Sequence, residues 1–416
     1  MQLITSINFL IWLAFFICYL YQMYYILVPF IKKEKPQSAG GNNRFAVLIS
    51  ARNESNVIGE LLGSINGQTY PKELVDVYVV ADNCTDNTAE IARKCGAFVY
   101  ERFDSVNVGK GYALNYVLNK ISEKYGEDYY DSYFVFDADN VLDPHYIEEM
   151  NKTFSSGYDI LTSYRNSKNY GDNWISAGYA LWFLRESKFL NNSRMLLDTS
   201  CAISGTGFMF SKKIAKRLKG WKYYLLTEDI EFTVDHVING YKIGYCKNAV
   251  LYDEQPTKFS QSVRQRMRWS KGYFQVLCNY GSKMLKGMFK KKGFSCYDMS
   301  MSILPAMVLT VYSAIINITA IITGLLAGIN IAPVVDALFG GFTSMYLMML
   351  LIGGITTISE WKNIYTTTFK KIFYMFTFPI FMMTYIPITF LALFKKVEWK
   401  PIVHSKSKSL AEIVSV

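Results

Sequence analysis

The carboxylates best placed to do chemistry in this 416-residue chain follow short apolar runs. Asp137 and Asp139 flank a single alanine directly after the apolar run at 133–136. Two aspartates with this spacing can hold Mg²⁺ or Mn²⁺, directly or through water, and leave room for the diphosphate of a nucleotide. A solvated acidic loop has the same pattern, because an isolated Asp-x-Asp is common. The pair therefore indicates a metal site only together with other features of the chain.

A second acidic pair, Glu228 and Asp229, follows Thr227, a residue type suited to capping a helix. The helix dipole favours acidic residues in a first turn, so this pair needs no chemical role. Upstream, small residues at 201–207 include Gly205 and Thr206. Such a turn lets the backbone approach a ligand closely, but a tight connection between strands explains it equally well.

The basic segment around Gln265 is harder to explain without a ligand. A helix over 258–289 would gather its apolar residues near one stripe, with Arg and Lys over the rest, as in an amphipathic helix on a membrane surface. Arg268 and Trp269 lie three and four residues after Gln265 and share its face. They are suited to contact a diphosphate and stack on a sugar ring, or to anchor the helix among lipid headgroups.

The apolar pattern predicts the framework that positions these residues. Runs at 45–50, 75–80 and 133–136 are typical of buried parallel strands, each followed by a polar loop and a helix. This alternation predicts an α/β doubly wound sheet, with ligands bound beyond the carboxyl ends of the strands. Glu54 and Asp82 lie at such ends. The absence of Gly-x-Gly-x-x-Gly and Walker motifs disfavours a dinucleotide fold and a P-loop NTPase.

Charge is strongly segregated along the chain. The net charge is +10 and 51% of the residues are hydrophobic, which excludes a disordered or collagen-like chain. Segments 1–31 and 372–394 carry no charged side chain and 299–359 carries only one, so all three are predicted to lie in a membrane. Lys32, Lys33 and Lys35 follow the first segment and place the large middle region in the cytoplasm by the positive-inside rule.

The predicted organisation has five parts: a transmembrane helix at 1–31, a cytoplasmic domain at 43–255, amphipathic interfacial helices at 256–292, a membrane region at 299–394 and a basic tail at 395–416. Lys291 and Lys292 lie before a span expected at about 299–329, and a third span is expected near 347–359. A fourth full span would place the basic tail outside. Pro379 and Pro387 interrupt that segment, so a kinked or re-entrant element is favoured.

Cysteines, histidines and basic residues limit the remaining choices. Seven cysteines without a CxxC pair fit a reduced, cytoplasmic domain. Three scattered histidines show no metal-ligand spacing, which favours carboxylate chemistry. Nucleic-acid binding is disfavoured, because the basic residues cluster beside apolar segments, as expected at an anionic membrane surface.

The motifs together resemble those of the membrane-embedded family-2 glycosyltransferases, a group that includes cellulose, hyaluronan and poly-N-acetylglucosamine synthases. Asp82 matches the first aspartate of that family, and the pair at 137 and 139 matches its Asp-x-Asp. Residues 227–229 match its Thr-Glu-Asp and 265–269 its Gln-x-x-Arg-Trp. The segment 397–404, with Trp399 and Lys400, is similar to the tryptophan-containing ends of such synthases. The resemblance implies a GT-A-like nucleotide-sugar domain inserted between transmembrane helices.

The resemblance further implies inverting transfer of a sugar from a UDP-sugar to an acceptor hydroxyl at the plasma membrane, with processive synthesis and export of a β-linked polysaccharide. Asp229 would be the general base, and Asp137 and Asp139 would hold Mg²⁺ or Mn²⁺. The implied nucleotide-sugar contacts are Glu54, Asp82, Lys110, Asp137 and Arg268. The implied acceptor or sugar contacts are Gly205, Thr206, Glu228, Gln265 and Trp269.

Two alternatives stay open. A transferase that adds one sugar to a lipid acceptor carries a similar Gln-x-x-Arg-Trp and uses the same aspartates, and product length separates the two activities. A transporter or structural membrane protein is the rival from another class, but the spans hold one acidic residue, Asp336, and few groups that could couple transport. The expected partners are a UDP-sugar, a growing glycan or lipid acceptor, the bilayer, and export or assembly subunits, with no nucleic acid.

Overall fold

The computed structural model describes residues 2–34, 37, 39–290, 293–398, 402 and 404–415, without the side chains of 305–307. Five residues that entered the topology and tail arguments lie outside this description: Lys35, Lys291, Lys292, Trp399 and Lys400. The described chain begins with a 30-residue helix, α1 (Gln2–Ile31).

A mixed sheet of eight strands forms the centre of the large domain. In chain order the strands are β1 (Phe45–Ala51), β2 (Val75–Asp82), β3 (Phe98–Arg102), β4 (Ser132–Asp137), β5 (Val141–Leu142), β6 (Ile160–Ser167), β7 (Phe208–Ser211) and β8 (Ile243–Asp253). They lie side by side in the order β3-β2-β1-β4-β7-β6-β8-β5. The first four strands in that order are parallel. β7 is antiparallel to both neighbours, β6 and β8 are parallel, and β5 is antiparallel to β8.

Helices cover both faces of the sheet: α2 (Ile58–Asn66), α3 (Thr88–Lys94), α4 (Lys110–Tyr125), α5 (Tyr146–Ser155), α6 (Trp174–Arg185), α7 (Asn192–Leu196), α8 (Lys212–Leu218) and α9 (Glu228–Ile238). Successive side chains of β1 point to opposite faces. Leu48 belongs to one core with Leu114 of α4, and Val47 belongs to another with Leu61 of α2 and Ile147 of α5. Burial on both faces explains why these strands are continuous apolar runs.

The predicted α/β doubly wound arrangement holds for the parallel half of the sheet. There the carboxyl ends of β1, β2 and β4 lie at one edge. Glu54 follows the end of β1, and Asp82 and Asp137 are the last residues of β2 and β4. The apolar pattern predicted parallel strands and did not include the antiparallel strand β7. It runs against β4, so the turn that precedes it lies beside the end of β4, and the Asp137 N–H donates to Thr206 Oγ1 at 2.9 Å.

The basic segment forms one continuous helix, α10 (Phe259–Met288), within the bounds of the helix predicted over 258–289. Val276 and Met284 on this helix are buried against Val234 of α9 and Ile303. Arg264 is exposed on another side of the helix. Helix α10 therefore lies between the sheet domain and the apolar helices that follow it.

In the described part of the chain, four helical segments are long and apolar enough to cross a membrane, judged by length and composition. They are α1, α11 (Phe294–Leu326), α12 (Ala332–Ser359) and the segment Thr368–Phe394, which comprises α13 (Thr368–Met383) and α14 (Tyr385–Phe394). Helix α12 begins 15 residues before the third span that the apolar pattern predicted, at Ala332 instead of 347. The apolar pattern missed this first half because it contains Asp336 and two glycines.

The last apolar segment is interrupted at Thr384, between Pro379 and Pro387. Arg266 of α10 donates to the Phe381 carbonyl at 3.1 Å and to Thr384 Oγ1 at 2.6 Å. A buried guanidinium thus satisfies backbone and hydroxyl groups where the helix ends. Whether this segment crosses the membrane or returns to its starting side stays a proposal.

A buried ion pair joins the sheet domain to the apolar helices. Arg194 of α7 donates through Nε and Nη2 to the two carboxylate oxygens of Asp298 in α11, both at 2.8 Å. The hydroxyls of Tyr21 and Tyr25 in α1 donate to the same carboxylate, also at 2.8 Å. Four donors to one buried carboxylate hold α1, α7 and α11 in one arrangement.

The end of the chain folds back onto the domain. It closes with a short helix, α15 (Leu410–Val414), whose Ile413 is buried against Val141 of β5 and Tyr252 of β8. The backbone N–H groups of Ser405 and Lys406 donate to the Glu254 carboxylate at 2.9–3.1 Å. The basic tail therefore lies against the same sheet edge as the predicted site.

Candidate functional site

The loops after β1 and β2 interlock and so position the first two predicted residues. The Asn53 side chain accepts from the Thr85 N–H at 2.7 Å and donates to the Thr85 hydroxyl at 3.1 Å. The Glu54 N–H donates to Thr88 Oγ1 at 2.9 Å. Asn53 adopts a φ of 58°, a left-handed conformation that asparagine tolerates better than most residues. These contacts present Glu54 at the strand ends.

Asp82 is buried and already paired. Arg102, the last residue of β3, donates to its carboxylate at 2.6 Å and to Asp104 at 2.9 Å. Burial raises the pKa of Asp82, and Arg102 acts in the opposite direction. A ligand at this end of the sheet therefore meets an Asp82–Arg102 unit and not a free carboxylate.

Glu54 has an unexpected partner in the tail. His404 Nδ1 lies 2.9 and 3.0 Å from the two carboxylate oxygens of Glu54, and its Nε2 lies 4.0 Å from Asp139. Although burial lowers it, the negative charges of Asp139 and Glu54 raise the pKa of His404 to about 10. A protonated imidazole thus links the tail to two predicted site carboxylates. The sequence motifs favoured carboxylate chemistry and did not include His404 among the site residues.

Asp137 at the end of β4 pairs with a lysine. Lys110 at the start of α4 donates to its carboxylate at 2.5 Å and to the Gly205 carbonyl at 2.8 Å. The neighbouring Gly111 lets the start of α4 pack against the Tyr223 backbone, because a Cβ there would lie 2.2 Å from the Tyr223 carbonyl oxygen. The side chain of Asp137 remains 39% exposed, so it faces an accessible space beside Lys110.

Asp139 lies deeper than Asp137 and faces positive charge. It accepts from the Glu254 N–H at 2.9 Å. Burial alone would raise its pKa, but His404, Lys168 and the Glu254 N–H hold the pKa of Asp139 below its usual value. The Lys168 ammonium is buried and makes no hydrogen bond to the described residues. The positive charges around Asp139 therefore favour its ionised form.

Whether these residues fit a divalent cation depends on the ligands that the phosphates of a bound nucleotide would add. In the described part of the chain, no three His, Cys, Asp or Glu side chains converge on one point. Asp137 and Asp139 together offer one exposed and one buried carboxylate. Mg²⁺ commonly binds to one or two carboxylates and completes its shell with substrate phosphates and water. The donor set fits a cation shared with a diphosphate.

Gly205 connects the nucleotide side of the site to Asp229 through its backbone. Its N–H donates to the Asp229 carboxylate at 2.6 Å, and its carbonyl accepts from Lys110. Gly205 has a φ of 79°, a left-handed conformation that favours glycine. Thr206, the next residue, is buried and bonds to Asn140 and to the Asp137 backbone. One turn thus fixes Asp229, Lys110 and Asp137 relative to one another.

Glu228 and Asp229 form a coupled acidic pair at the start of α9. Burial and the charge of Asp229 raise the pKa of Glu228 to about 7, against the opposing charges of Lys110 and Arg268. Burial also raises the pKa of Asp229, although the N–H groups of Ile230 and Gly205 lower it. Thr227 stands at the N-cap position but makes no capping bond with its side chain, contrary to the prediction. The pair has the properties expected of a proton acceptor and its neighbour.

Helix α10 packs directly against this pair. Gly272 faces Thr227 so closely that a Cβ there would lie 2.5 Å from its side chain. One turn earlier, Trp269 makes edge-to-face contacts with Tyr179 and Phe183, with ring centroids 5.7 and 6.3 Å apart. Trp269 therefore borders an aromatic cluster below Asp229. The aromatic contacts give it a structural role beside any role in binding.

The structure brings most of the predicted residues together. Lys110, Asp137, Gly205 and Asp229 form a continuous chain of contacts, and Arg268 acts on Glu228 electrostatically. The carboxamide oxygen of Gln265 is buried and has no hydrogen-bond partner among the described residues, so no contact joins it to this set.

Sequence reasoning missed several charged residues of the site: Arg102, Arg165, Lys168, Asp253, Glu254 and His404. Arg165 of β6 bonds to Asp253, and its Nη1 donates to the Ser204 carbonyl at 2.9 Å. Arg102 and Asp253 are the last residues of their strands, and this position is the sequence feature that could have identified them as site residues. Nothing in the local pattern marked Lys168, and His404 entered the sequence analysis only as the last residue of the segment 397–404.

Known proteins are similar to this chain in sequence and in fold. A family model described as glycosyltransferase like family 2 matches residues 42–272, more than half of the chain. The chain is 26% identical over 257 residues to poly-beta-1,6-N-acetyl-D-glucosamine synthase of Staphylococcus epidermidis, covering 59% of this chain and 58% of that protein. It is 24% identical over 240 residues to beta-monoglucosyldiacylglycerol synthase of Synechocystis, covering 56% and 48%. The chain thus spans about half of the length of these curated relatives.

A solved structure has the same fold. It is the mannosyltransferase PcManGT from Pyrobaculum calidifontis in complex with GDP-Man and Mn²⁺. The TM-score is 0.60 at 14% sequence identity, over 94% of this chain and 100% of the other. The predicted GT-A-like fold is therefore confirmed. By the match to more than half of its length, this chain belongs to glycosyltransferase family 2.

Proposed function

We propose that this enzyme transfers a sugar from a UDP-sugar to an acceptor hydroxyl with inversion, and that it extends a β-linked polysaccharide. The observation that carries the proposal is the position of Asp229. Its carboxylate is held by the Gly205 N–H at 2.6 Å, and the carbonyl of the same residue accepts from Lys110, which contacts Asp137. The candidate base and the candidate diphosphate site are thus separated by a single residue.

Asp229 accepts the proton of the acceptor hydroxyl as its oxygen attacks the anomeric carbon. The bond from that carbon to the donor phosphate breaks in the same displacement, and UDP leaves with the electron pair, so the configuration inverts. The raised pKa of Asp229 makes its carboxylate a stronger base than that of an ordinary aspartate. The Gly205 N–H orients the carboxylate during proton transfer.

Lys110 and Arg268 contribute positive charge where UDP departs. Glu54 and the Asp82–Arg102 unit lie at the strand ends where the uridine would bind. Asp137 and Asp139 would hold Mg²⁺ or Mn²⁺, with His404 beside them, and the bound ion would neutralise charge on the diphosphate. Gly205 and Thr206 line the donor-sugar site, and Glu228, Gln265 and Trp269 belong to the acceptor side.

The relatives support two acceptor classes, because one is named as a polysaccharide synthase and the other as a glycolipid synthase. Addition of one sugar to a lipid therefore remains the second candidate. In both cases the enzyme is a multi-pass protein of the plasma membrane with its sheet domain in the cytoplasm. Four apolar segments and the basic residues that follow the first of them support this placement.

The test is UDP release by the full-length protein in lipid nanodiscs, with a panel of UDP-sugars, followed by sizing and linkage analysis of the product. A polymer or ladder supports extension of a polysaccharide, and a single glycolipid supports the second candidate. Release with none of the UDP-sugars contradicts the proposal. Export or assembly subunits would copurify with a processive enzyme and can be identified in the same preparation.

A further inference from the structure

The end of the chain crosses the predicted donor site, but its last helix has no role in the proposed chemistry. His404 contacts the Glu54 carboxylate, and the two N–H groups that follow it donate to Glu254. Three residues after His404, the Ser407 hydroxyl donates to Glu60 of α2 at 3.0 Å. The basic tail therefore contacts segments that follow β1 and β8, at the edge of the sheet where a UDP-sugar would bind.

These polar contacts alone would hold the basic tail weakly. Lys406 and Asp172 form an ion pair at 3.2 Å, but their side chains are 38% and 25% exposed, and surface pairs of this kind contribute little. Ser407 is exposed, so water competes for its bond to Glu60. A further contact is needed to fix the basic tail in this position.

Helix α15 supplies that contact as an apolar anchor. A helix of five residues is not stable by itself in water, even with the capping box that Ser409 and Glu412 form. Ile413 is 2% exposed and packs against Val141 of β5 and Tyr252 of β8. Burial of this aliphatic side chain favours docking of the whole segment.

The anchor point lies next to carboxylates of the site. Val141 and Tyr252 are partners in the pairing of β5 with β8. Val141 is two residues after Asp139, and Tyr252 is two residues before Glu254, whose N–H donates to Asp139 at 2.9 Å. A helix that docks on this strand pair is therefore fixed relative to both carboxylates.

The docked tail encloses space beside the site and does not fill it. A cavity of about 190 Å³ lies between the basic tail, at Ile402 and His404, and the connection from β8 to α10, at 254–258. The basic tail is thus a wall of this cavity. His404, Lys406 and Lys408 make the wall basic, which favours a ligand that carries phosphates.

We propose that Ile413 is a positioning residue for the UDP-sugar: it anchors α15 at β5 and thereby holds the basic tail as a wall of the donor site, with His404 beside Glu54 and Asp139. The inference rests on the proposed function and gives the last helix a role in donor binding. Helix α14 fixes one end of the basic tail against α10 and α15 fixes the other, so the segment between them stays at the site while Ile413 is docked. Such preorganisation lowers the cost of ordering the segment when the donor binds.

The test measures UDP release by the full-length protein in nanodiscs, with the UDP-sugar that the wild type turns over. Ile413→Asp removes the anchor, because burial of a carboxylate in this apolar contact is costly. Loss of a buried aliphatic side chain shifts a docking equilibrium by about ten- to hundredfold, so KM for the UDP-sugar should rise by a similar factor. The kcat should stay near that of the wild type, because Asp229 is held by other contacts. Val414→Asp, at the next residue of α15, which is 42% exposed, is the matched control and should change neither value.

A double-mutant cycle separates positioning from a general structural role. His404→Ala alone should raise KM for the UDP-sugar, and adding Ile413→Asp should raise it little further, because the anchor acts through the segment that carries His404. Trypsin supplies a readout besides activity. Cleavage after Lys406 and Lys408 should be faster in Ile413→Asp than in the wild type or in Val414→Asp.

Four results would overturn the inference. Cleavage after Lys408 at the wild-type rate in Ile413→Asp means that Ile413 does not anchor the basic tail. Faster cleavage with an unchanged KM means that the docked tail does not contribute to donor binding, and a lower KM means that it blocks the donor. Multiplication of the KM effects of His404→Ala and Ile413→Asp means that the two residues act independently. By contrast, failure of the wild type to release UDP from any UDP-sugar contradicts the proposed function itself.

Discussion

Replacement of Glu228 by glutamine tests the electrostatics of the acidic pair. Asp229 raises the pKa of Glu228, and coupling between two sites is reciprocal, so ionised Glu228 raises the pKa of Asp229. The groups that face Glu228 are Asp229, Lys110 and Arg268. Glu228→Gln removes one negative charge and leaves the two positive ones. The pKa of Asp229 should therefore fall, and the acid limb of the kcat/KM profile should move to lower pH.

The same substitution has a stability effect whose size follows from the structure. The pKa of Glu228 rises from 4.5 to about 7 on folding. At about 1.4 kcal/mol per pKa unit, this rise corresponds to at most about 3 kcal/mol of destabilisation. Below pH 4.5 the Glu228 carboxyl is protonated in both the folded and the unfolded protein, so its raised pKa does not change the free energy of unfolding. As the pH rises from 4.5 through about 7, the free energy of unfolding falls, because the carboxyl ionises more easily in the unfolded protein. The Glu228→Gln variant should therefore have a higher free energy of unfolding than the wild type at pH 8. The difference between the two should be smaller at pH 5.

The assay combines two measurements on the protein in nanodiscs. Unfolding temperature is recorded from pH 5 to 8, and kcat/KM for UDP release is recorded over the same range. Glu123→Gln, on the exposed surface of α4, is the control and should change neither profile. An acid limb that stays in place or moves to higher pH in Glu228→Gln refutes the coupling. So does an unfolding temperature at pH 8 that falls below that of the wild type.

Three further predictions concern the metal, the membrane anchor and the close packing of α10. Asp139→Ala should abolish the part of the affinity for UDP that depends on Mg²⁺ or Mn²⁺, measured by calorimetry with and without chelator; equal affinity in both conditions excludes Asp139 as a ligand. Asp298→Asn should lower the free energy of unfolding by about 3–5 kcal/mol, because it leaves a buried guanidinium without its counter-charge, and an unchanged unfolding temperature contradicts this. Gly272→Ala should reduce both stability and turnover, because the new Cβ would lie 2.5 Å from the Thr227 side chain. Gly281→Ala on the same helix is the control and should have a small effect, because its Cβ would meet only a flexible leucine side chain at 3.0 Å. Equal effects of the two substitutions would contradict the packing argument.

The parallel half of the sheet was predictable because its signals are local. Each buried strand is a short apolar run, and each run ends in polar residues that must lie at the carboxyl edge. The apolar pattern alone therefore places Asp137 and Glu54 near one another. The helix over 258–289 was predictable for the same reason, since its period is visible in the sequence, and the structure has it at Phe259–Met288.

The partners of these residues were not predictable, because they come from distant parts of the chain. His404 lies 350 residues from Glu54 and reaches it only because the tail folds back over the sheet edge. Arg102 pairs with Asp82 because β3 is the neighbour of β2, and the run at 98–102 is too short and polar to predict as a strand.

The role of Asp229 is tested most directly by transfer and UDP binding in Asp229→Asn. The amide has nearly the shape of the carboxylate but cannot accept the proton, so turnover should fall by about 10²–10⁴-fold while the affinity for UDP stays near that of the wild type. Asp235→Asn, on the same helix and bonded to the Tyr223 hydroxyl, is the control that should retain transfer. Near-normal turnover by Asp229→Asn would contradict the assignment of the base, and with it the mechanism proposed for this site.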